Sequence, residues 1–261
     1  MKIRISVLIV SIFLVWNLRE VRAGEDVAAK LTPQAIQARI QEHRMGDLNN
    51  EQIFGDFYRR GLGAGIIKEM AESAKRGNPN AVLYLNEQGA LAGGNADKYV
   101  KLIRQTLDAG VPIEGLGCQG HFGGMFDPEH VQRTLDRLGR FNLPIKITEY
   151  DLNSSDEQLK AKHLRTFYEI CFAHPAVEGI MMWGFWEGAH WRPKAALWKR
   201  DWSETPAARA YLDLVFNQWW TRQQGKANPE GIYKTRAFYG KYRITINGKE
   251  KEMSLSKNRG R

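Results

Sequence analysis

From residue 80 onward, apolar and polar positions follow two alternating periods. Short continuous apolar runs suit strands buried on both faces, and between them apolar residues recur every three or four positions, the period of an amphipathic helix. The runs are Ala81–Leu85, Gly115–Gln119, Ile145–Thr148 and Gly179–Trp183. Helices are predicted over Ala96–Ala109, with Tyr99, Ile103 and Leu107 on one face, over Pro128–Phe141, and over Glu157–Phe172. Another starts at Thr205-Pro206 and runs to about Phe216. Asp127 before Pro128, and Ser155 or Asp156 before Glu157, are the expected N-caps. Earlier in the chain, Ala64–Lys75 reads as a helix, Asp47–Asn50 as a short strand, and Thr32-Pro33 as the start of a helix reaching about His43. Strands and helices in this order predict parallel βα units. A doubly wound sheet and part of a (β/α)8 barrel both fit the count. The first normally carries a Gly-rich phosphate loop, and neither GxGxxG nor GxxxxGK[ST] occurs, so the barrel is favoured.

The two ends break the pattern. Lys2 and Arg4 precede an apolar run from Ile5 to Trp16, and Val21-Arg22-Ala23 closes a polar stretch. This order predicts a secretory signal peptide over 1–23 and a secreted or periplasmic product, with an uncleaved N-terminal anchor as the other reading. At the far end, Phe238–Ile246 alternates apolar and polar, Asn247-Gly248 follows, and Lys249–Leu255 comes next. Asn-Gly between extended runs signals a hairpin. With Gly225–Gly231 as linker, 232–257 is expected to be a small basic β-hairpin appendage. The division is thus 1–23 leader, 24–222 main domain, and 223–261 linker and tail.

The formal charge of +9 belongs to these ends. Residues 234–261 carry nine bases and two acids, and 1–23 four bases and one acid, leaving the body at −1. The body therefore has no footprint for nucleic acid, and no membrane association is expected once the leader is removed. Cys118 and Cys171 both fall in apolar segments and are expected to be buried thiols rather than a disulfide. No CxxC or HExxH pattern is present, so no metal and no cofactor is implied.

The candidate chemistry collects where strands end, which in parallel α/β folds is where ligands bind. Ile145–Thr148 stops on Glu149, and Asp47–Asn50 on Glu51. Asn86-Glu87 follows the run at 81–85, Gln119-Gly120-His121 closes the next, and Trp183-Gly184 the last. The loop beyond holds Trp186, Glu187, His190 and Trp191. Two glutamates at separate strand ends suit acid/base cleavage of a glycosidic bond. Amides and carboxylates suit sugar hydroxyls, and indoles suit the C–H faces of sugar rings.

Five ordered segments carry a resemblance to glycoside hydrolase family 10, the endo-1,4-β-xylanases. Asp47–Glu51 resembles the family's "WDVxNE", Ala81–Asn86 its "LyxND", and Gly115–His121 its "GiGxQgH". Ile145–Asp151 resembles "iTExD", and Met182–Arg192 "WGxxdxxsWr". The resemblance implies an α/β fold of (β/α)8 TIM-barrel type, incomplete, with strands 4–8 present and the first three absent. It implies retaining hydrolysis of internal β-1,4-xylosidic bonds, with Glu51 as general acid/base and Glu149 as nucleophile about 5–5.5 Å apart. Asn50, Gln119, His121, Trp183 and Trp191 would bind substrate, xylan or a xylo-oligosaccharide. Asn86-Glu87-Gln88-Gly89 departs from the family, which often places a stacking tyrosine here. A barrel of this type typically needs ~250 residues, so the open edges are expected to favour self-association. The alternative function is a catalytically inactive truncated remnant or a carbohydrate-binding protein.

Overall fold

The structure is a computed structural model that describes residues 2–8, 45–55 and 57–256. Two sheets organise it. Strand β1 (Lys2–Leu8) belongs to the smaller one. The larger is a five-stranded parallel sheet in the order β2-β3-β4-β5-β6, formed by Met45–Asp47, Val82–Glu87, Gly115–Phe122, Ile145–Leu152 and Val177–Met182. Sequential parallel neighbours joined by helices are a (β/α) barrel segment, and among the described residues the sheet does not close. β2 and β6 are its edges, and among the described residues neither has a second partner strand. The expected incomplete barrel is what the topology shows.

The helices are α1 (Phe57–Leu62), α2 (Ile66–Gly77), α3 (Ala96–Asp108), α4 (Pro128–Gly139), α5 (Glu157–Ala173) and α6 (Pro206–Asp213). Asp127 accepts from Glu129 N–H, Asp156 from Gln158 and Leu159 N–H, and Thr205 from Ala208 N–H, so these caps form as read. α6 runs into a π-helical turn at Leu214–Gln218. Leu107 does not belong to the buried stripe of α3. Ala96, Tyr99, Leu102, Ile103 and Thr106 face the core, and Leu107 is exposed. The helix-facing side of the sheet carries Leu83, Leu85, Leu116, Cys118, Ile145 and Ile147, all buried. Cys118 and Cys171 are both buried free thiols, and burial pushes both up, Cys118 to about 12.

Two strand ends differ from the sequence reading. β2 occupies Met45–Asp47 rather than Asp47–Asn50, because Asn49 and Glu51 take φ of +50° and +59°. A left-handed backbone cannot continue a strand, so Asn50 and Glu51 lie in a turn beyond β2. That turn is tied to its neighbour by Leu48 N–H on Tyr84 O and Glu51 N–H on Asn86 O. β3, β4 and β5 run on past their expected ends and take Asn86, Glu87, His121, Glu149 and Asp151 into the sheet.

The tail is more than a hairpin. β8 (Gly240–Ile246) and β9 (Lys249–Leu255) pair through Asn247-Gly248, whose φ values of +50° and +81° are what a two-residue hairpin turn requires. They join a four-stranded sheet in the order β7-β1-β8-β9, with β7 at Arg222–Lys226. Gly225 is thus a strand residue rather than linker, and a Cβ there would lie 2.1 Å from the Tyr233 ring, so a larger residue would have to displace that ring. The sheet docks on the body. Tyr242 is buried and donates to Phe238 O, and Phe238 meets Phe172 of α5 edge-on at 5.5 Å. β1, within the expected leader, pairs with both β7 and β8. The rest of the leader and the helix expected to reach His43 lie outside the described residues.

Candidate active site

A change of parity in β5 builds the centre. Cys118 pairs with Ile147, but the next pair is Gln119 with Glu149, so Thr148 is an extra residue on β5. A bulge of this kind turns the following side chains to the other face. Ile145 and Ile147 face the helices, and after the bulge Tyr150 takes that side, stacking on Phe167 of α5 at 5.0 Å. Glu149 and Asp151 are thereby turned inward beside Gln119 and His121, their partners on β4.

Glu149 is 7 % exposed and held on both oxygens. Asn86 Nδ2 donates to its Oε1 at 3.2 Å, and His121 Nε2 lies 3.0 Å from its Oε2. The other nitrogen of His121, Nδ1, lies 3.1 Å from Asp151 Oδ2. Burial works against a charge on this imidazole, but the two carboxylates outweigh it and lift its pKa to about 9. His121 is therefore an imidazolium at neutral pH, bridging Glu149 and Asp151. Asp151 also accepts from Trp191 Nε1 at 2.9 Å and from Arg192 Nη1 at 3.4 Å. The Arg192 guanidinium lies over the Trp191 ring at 4.1 Å.

Glu51 is held by two amides. Gln119 Nε2 donates to its Oε1 at 2.9 Å and Gln88 Nε2 to its Oε2 at 3.0 Å. A short chain of amides connects it to Glu149. Gln119 and Asn86 both donate to Asn50 Oδ1, at 3.4 and 2.9 Å, and Asn86 continues to Glu149. Asn86 is fully buried, and its Oδ1 accepts from Thr148 Oγ1 at 2.7 Å. Room for it comes from Gly117, where a Cβ would lie 2.4 Å from that oxygen.

The seven site residues expected from the sequence divide into three groups. Glu51, Glu149, Asn50 and Gln119 share this network. His121 joins it through Glu149. Trp183 and Trp191 stand beside His121 at centroid distances of 6.2 and 5.1 Å, both about half exposed. Of the other loop residues, His190 is buried and accepts from Arg192 N–H, while Glu187 turns away to accept from Arg200 N–H. Asn86, Gln88, Asp151 and Arg192 were not among the seven. The two-residue spacing of Glu149 and Asp151 on one strand was the available signal for Asp151.

Glu87 follows Asn86 on the opposite, helix-facing side of β3. It is a fully buried carboxyl that accepts Ile53 N–H on Oε1 at 2.9 Å. Among the described residues, its Oε2 has no partner. Burial, and secondarily the nearby Glu51, push its pKa up to about 7 against the pull of the Ile53 and Gln52 amides.

Comparison with known proteins accounts for the arrangement. The family model "Glycosyl hydrolase family 10" matches residues 41–214. A protein of Acetivibrio thermocellus named anti-sigma-I factor RsgI6 is 40% identical over 82% of this chain, and the match covers 28% of that protein. Endo-1,4-beta-xylanase 2 of Arabidopsis thaliana is 33% identical over 77% of this chain and 19% of its own length. The chain thus spans less than a third of these curated relatives. Xylanase 10B of Thermotoga petrophila, solved with xylobiose, superposes with a TM-score of 0.61 at 23% identity, over 71% of this chain and 64% of that one, which supports the fold. With two thirds of its length matched by that model, and the paired glutamates seated at the carboxyl ends of a parallel sheet, this chain belongs to glycosyl hydrolase family 10.

Proposed function

We propose that the chain hydrolyses internal β-1,4-xylosidic bonds of xylan with retention of configuration. The observation that carries this reading is the amide-linked pair of glutamates, Glu149 fixed on both oxygens and Glu51 on both of its own. Glu149 attacks the anomeric carbon while Glu51, protonated, gives its proton to the departing oxygen. The product is a glycosyl ester on Glu149 and a free sugar end. Glu51, now a carboxylate, takes a proton from water as that water attacks the same carbon, which releases the sugar and restores both groups. Imidazolium His121 fixes the orientation of Glu149. Asn50 Oδ1 is occupied by Asn86 and Gln119, which leaves its amino group for the 2-hydroxyl of the sugar. Trp183 and Trp191 wall the ring. The xylanases among the relatives, and the xylobiose held by the Thermotoga petrophila enzyme, supply the substrate class.

A second reading is carbohydrate binding without turnover. The edges of β2 and β6, which have no second partner strand among the described residues, favour it. A reducing-sugar assay on soluble xylan separates the two. Turnover by the wild type, its loss by about 10³-fold or more in Glu149→Ala, and azide rescue on an aryl xyloside with inverted product are the expected results. A fluoro-sugar inactivator bonded to another residue would remove Glu149 from its role.

The order of Lys2, Arg4 and the apolar run to Trp16 supports export to the periplasm or medium. Leader removal would take β1 out of the tail sheet, and N-terminal sequencing of the mature protein decides between leader and strand.

A further inference from the structure

The loop after β6 carries rings that the proposed reaction does not use. Trp202 stands in the turn 199–203, 56 % exposed, with φ of +66°. A bulky residue in the left-handed region is an outlier, and such strain collects at ligand-contacting sites. Burial would ordinarily offset it, but this ring is held out in water.

The turn is firmly built. Trp202 N–H donates to Lys199 O at 2.9 Å and Lys199 N–H to Ser203 O at 2.9 Å. Asp201 Oδ1 accepts from both the N–H and the hydroxyl of Ser203. Beneath Trp202 lies Trp186, with centroids 5.2 Å apart and planes 10° from parallel. Trp186 is in turn packed on Gly188, where a Cβ would fall 2.1 Å from the indole, and its Nε1 donates to Arg200 O. Phe185, 47 % exposed, flanks Trp202 at 6.3 Å. Strain and exposed apolar area are both unfavourable in the free molecule, and together they call for a ligand.

We propose that Trp202, backed by Trp186 and flanked by Phe185, is a stacking platform for sugar rings of a β-1,4-linked xylan chain, outside the cleavage centre. The flat indole suits the C–H face of a pyranose, and the exposed Lys199, Arg200 and Asp201 around it suit ring hydroxyls. Trp183 and Trp191 belong to the same connection between β6 and α6, so one segment of chain carries both sets of rings. The proposal rests on the xylan reading of the site, and it makes the platform a means of holding long chains rather than short ones.

The test uses the full chain carrying Glu149→Ala, so that substrate survives. Depletion on insoluble xylan is measured with Trp202→Ala, Trp202→Phe and Trp202→Gly added, alongside xylobiose binding by calorimetry. The expected result is a loss of retention of about 10-fold in Trp202→Ala, in the range of one base–aromatic stack, with partial recovery in Trp202→Phe and unchanged xylobiose affinity. Trp202→Gly should lose retention while keeping or raising Tm, because glycine relieves the backbone strain. Superimposable isotherms for the parent and Trp202→Ala overturn the proposal, as does a parent that does not bind insoluble xylan. A fall in Tm that accompanies every loss of retention, Trp202→Gly included, also overturns it, because the ring is then packing. If the glutamates prove inactive but retention still depends on Trp202, the platform stands and the hydrolase reading falls.

Discussion

Replacing Glu87 by glutamine should change the pH dependence of stability in a way the structure specifies. Glu87 is wholly buried, and its pKa is raised from 4.5 to about 7, first by burial. A pKa raised from 4.5 to about 7 corresponds to about 3 kcal/mol. The folded pKa lies above the unfolded one, so the protonated carboxyl favours the native state. That contribution is fully present below about pH 4.5 and is lost as pH rises through 7. Glutamine does not titrate, and its amide oxygen can still accept Ile53 N–H. Its amino group replaces Oε2, which has no partner among the described residues, and an unsatisfied buried donor costs about 1–3 kcal/mol at every pH. The slope of the difference is therefore the measure, and the offset is not. Urea unfolding of both proteins from pH 4.5 to 8 should show Glu87→Gln gaining about 3 kcal/mol on the wild type, reaching or passing it at the alkaline end. Other titrations, that of His121 included, occur in both proteins and cancel. A difference flat to within about 0.5 kcal/mol across this range would refute the reasoning and mean that Glu87 reaches water.

Three further outcomes are expected. His121 is raised to about 9, so its stabilisation is complete below about pH 6.5 and lost as pH climbs through 9; His121→Asn should be less stable than wild type at pH 6 and approach it above pH 9, read from Tm. Tyr242→Phe should cost about 1 kcal/mol for the lost bond to Phe238 O, and Tyr242→Ala about 3–5 kcal/mol by opening the tail–body contact, both measured in urea. The edges of β2 and β6, unpaired among the described residues, should make the chain self-associate with concentration in sedimentation, and a monomer that melts cooperatively at every concentration tested would count against this.

The strand–helix alternation, the three caps and the Asn-Gly turn were legible because each is set within a few residues of sequence. What was hidden depends on register. The Thr148 bulge is invisible in Ile145–Leu152, yet it alone decides that Glu149 faces the site rather than the helices. Leu107 matched the helical period, but the buried stripe of α3 runs from Ile103 to Thr106 and leaves Leu107 exposed. The run 222–226, Arg-Gln-Gln-Gly-Lys, has no β signature and becomes a strand only because β1 is there to pair with it. Glu87 looked like another strand-end carboxylate of the crevice, and one step of parity placed it on the buried side instead.

Gly117 shows what substitution tables miss. It touches no substrate and carries no chemistry, and replacing it with alanine ranks among the mildest of exchanges. Yet a methyl group there would stand 2.4 Å from Asn86 Oδ1, driving out the amide that spans from Asn50 to Glu149. A single carbon added on β4 would break the link between a carboxylate on β5 and one that follows β2. In this fold the spacing of the two carboxylates is written partly in atoms that are left out, and a scale that grades residues by their reactivity would rank that position last.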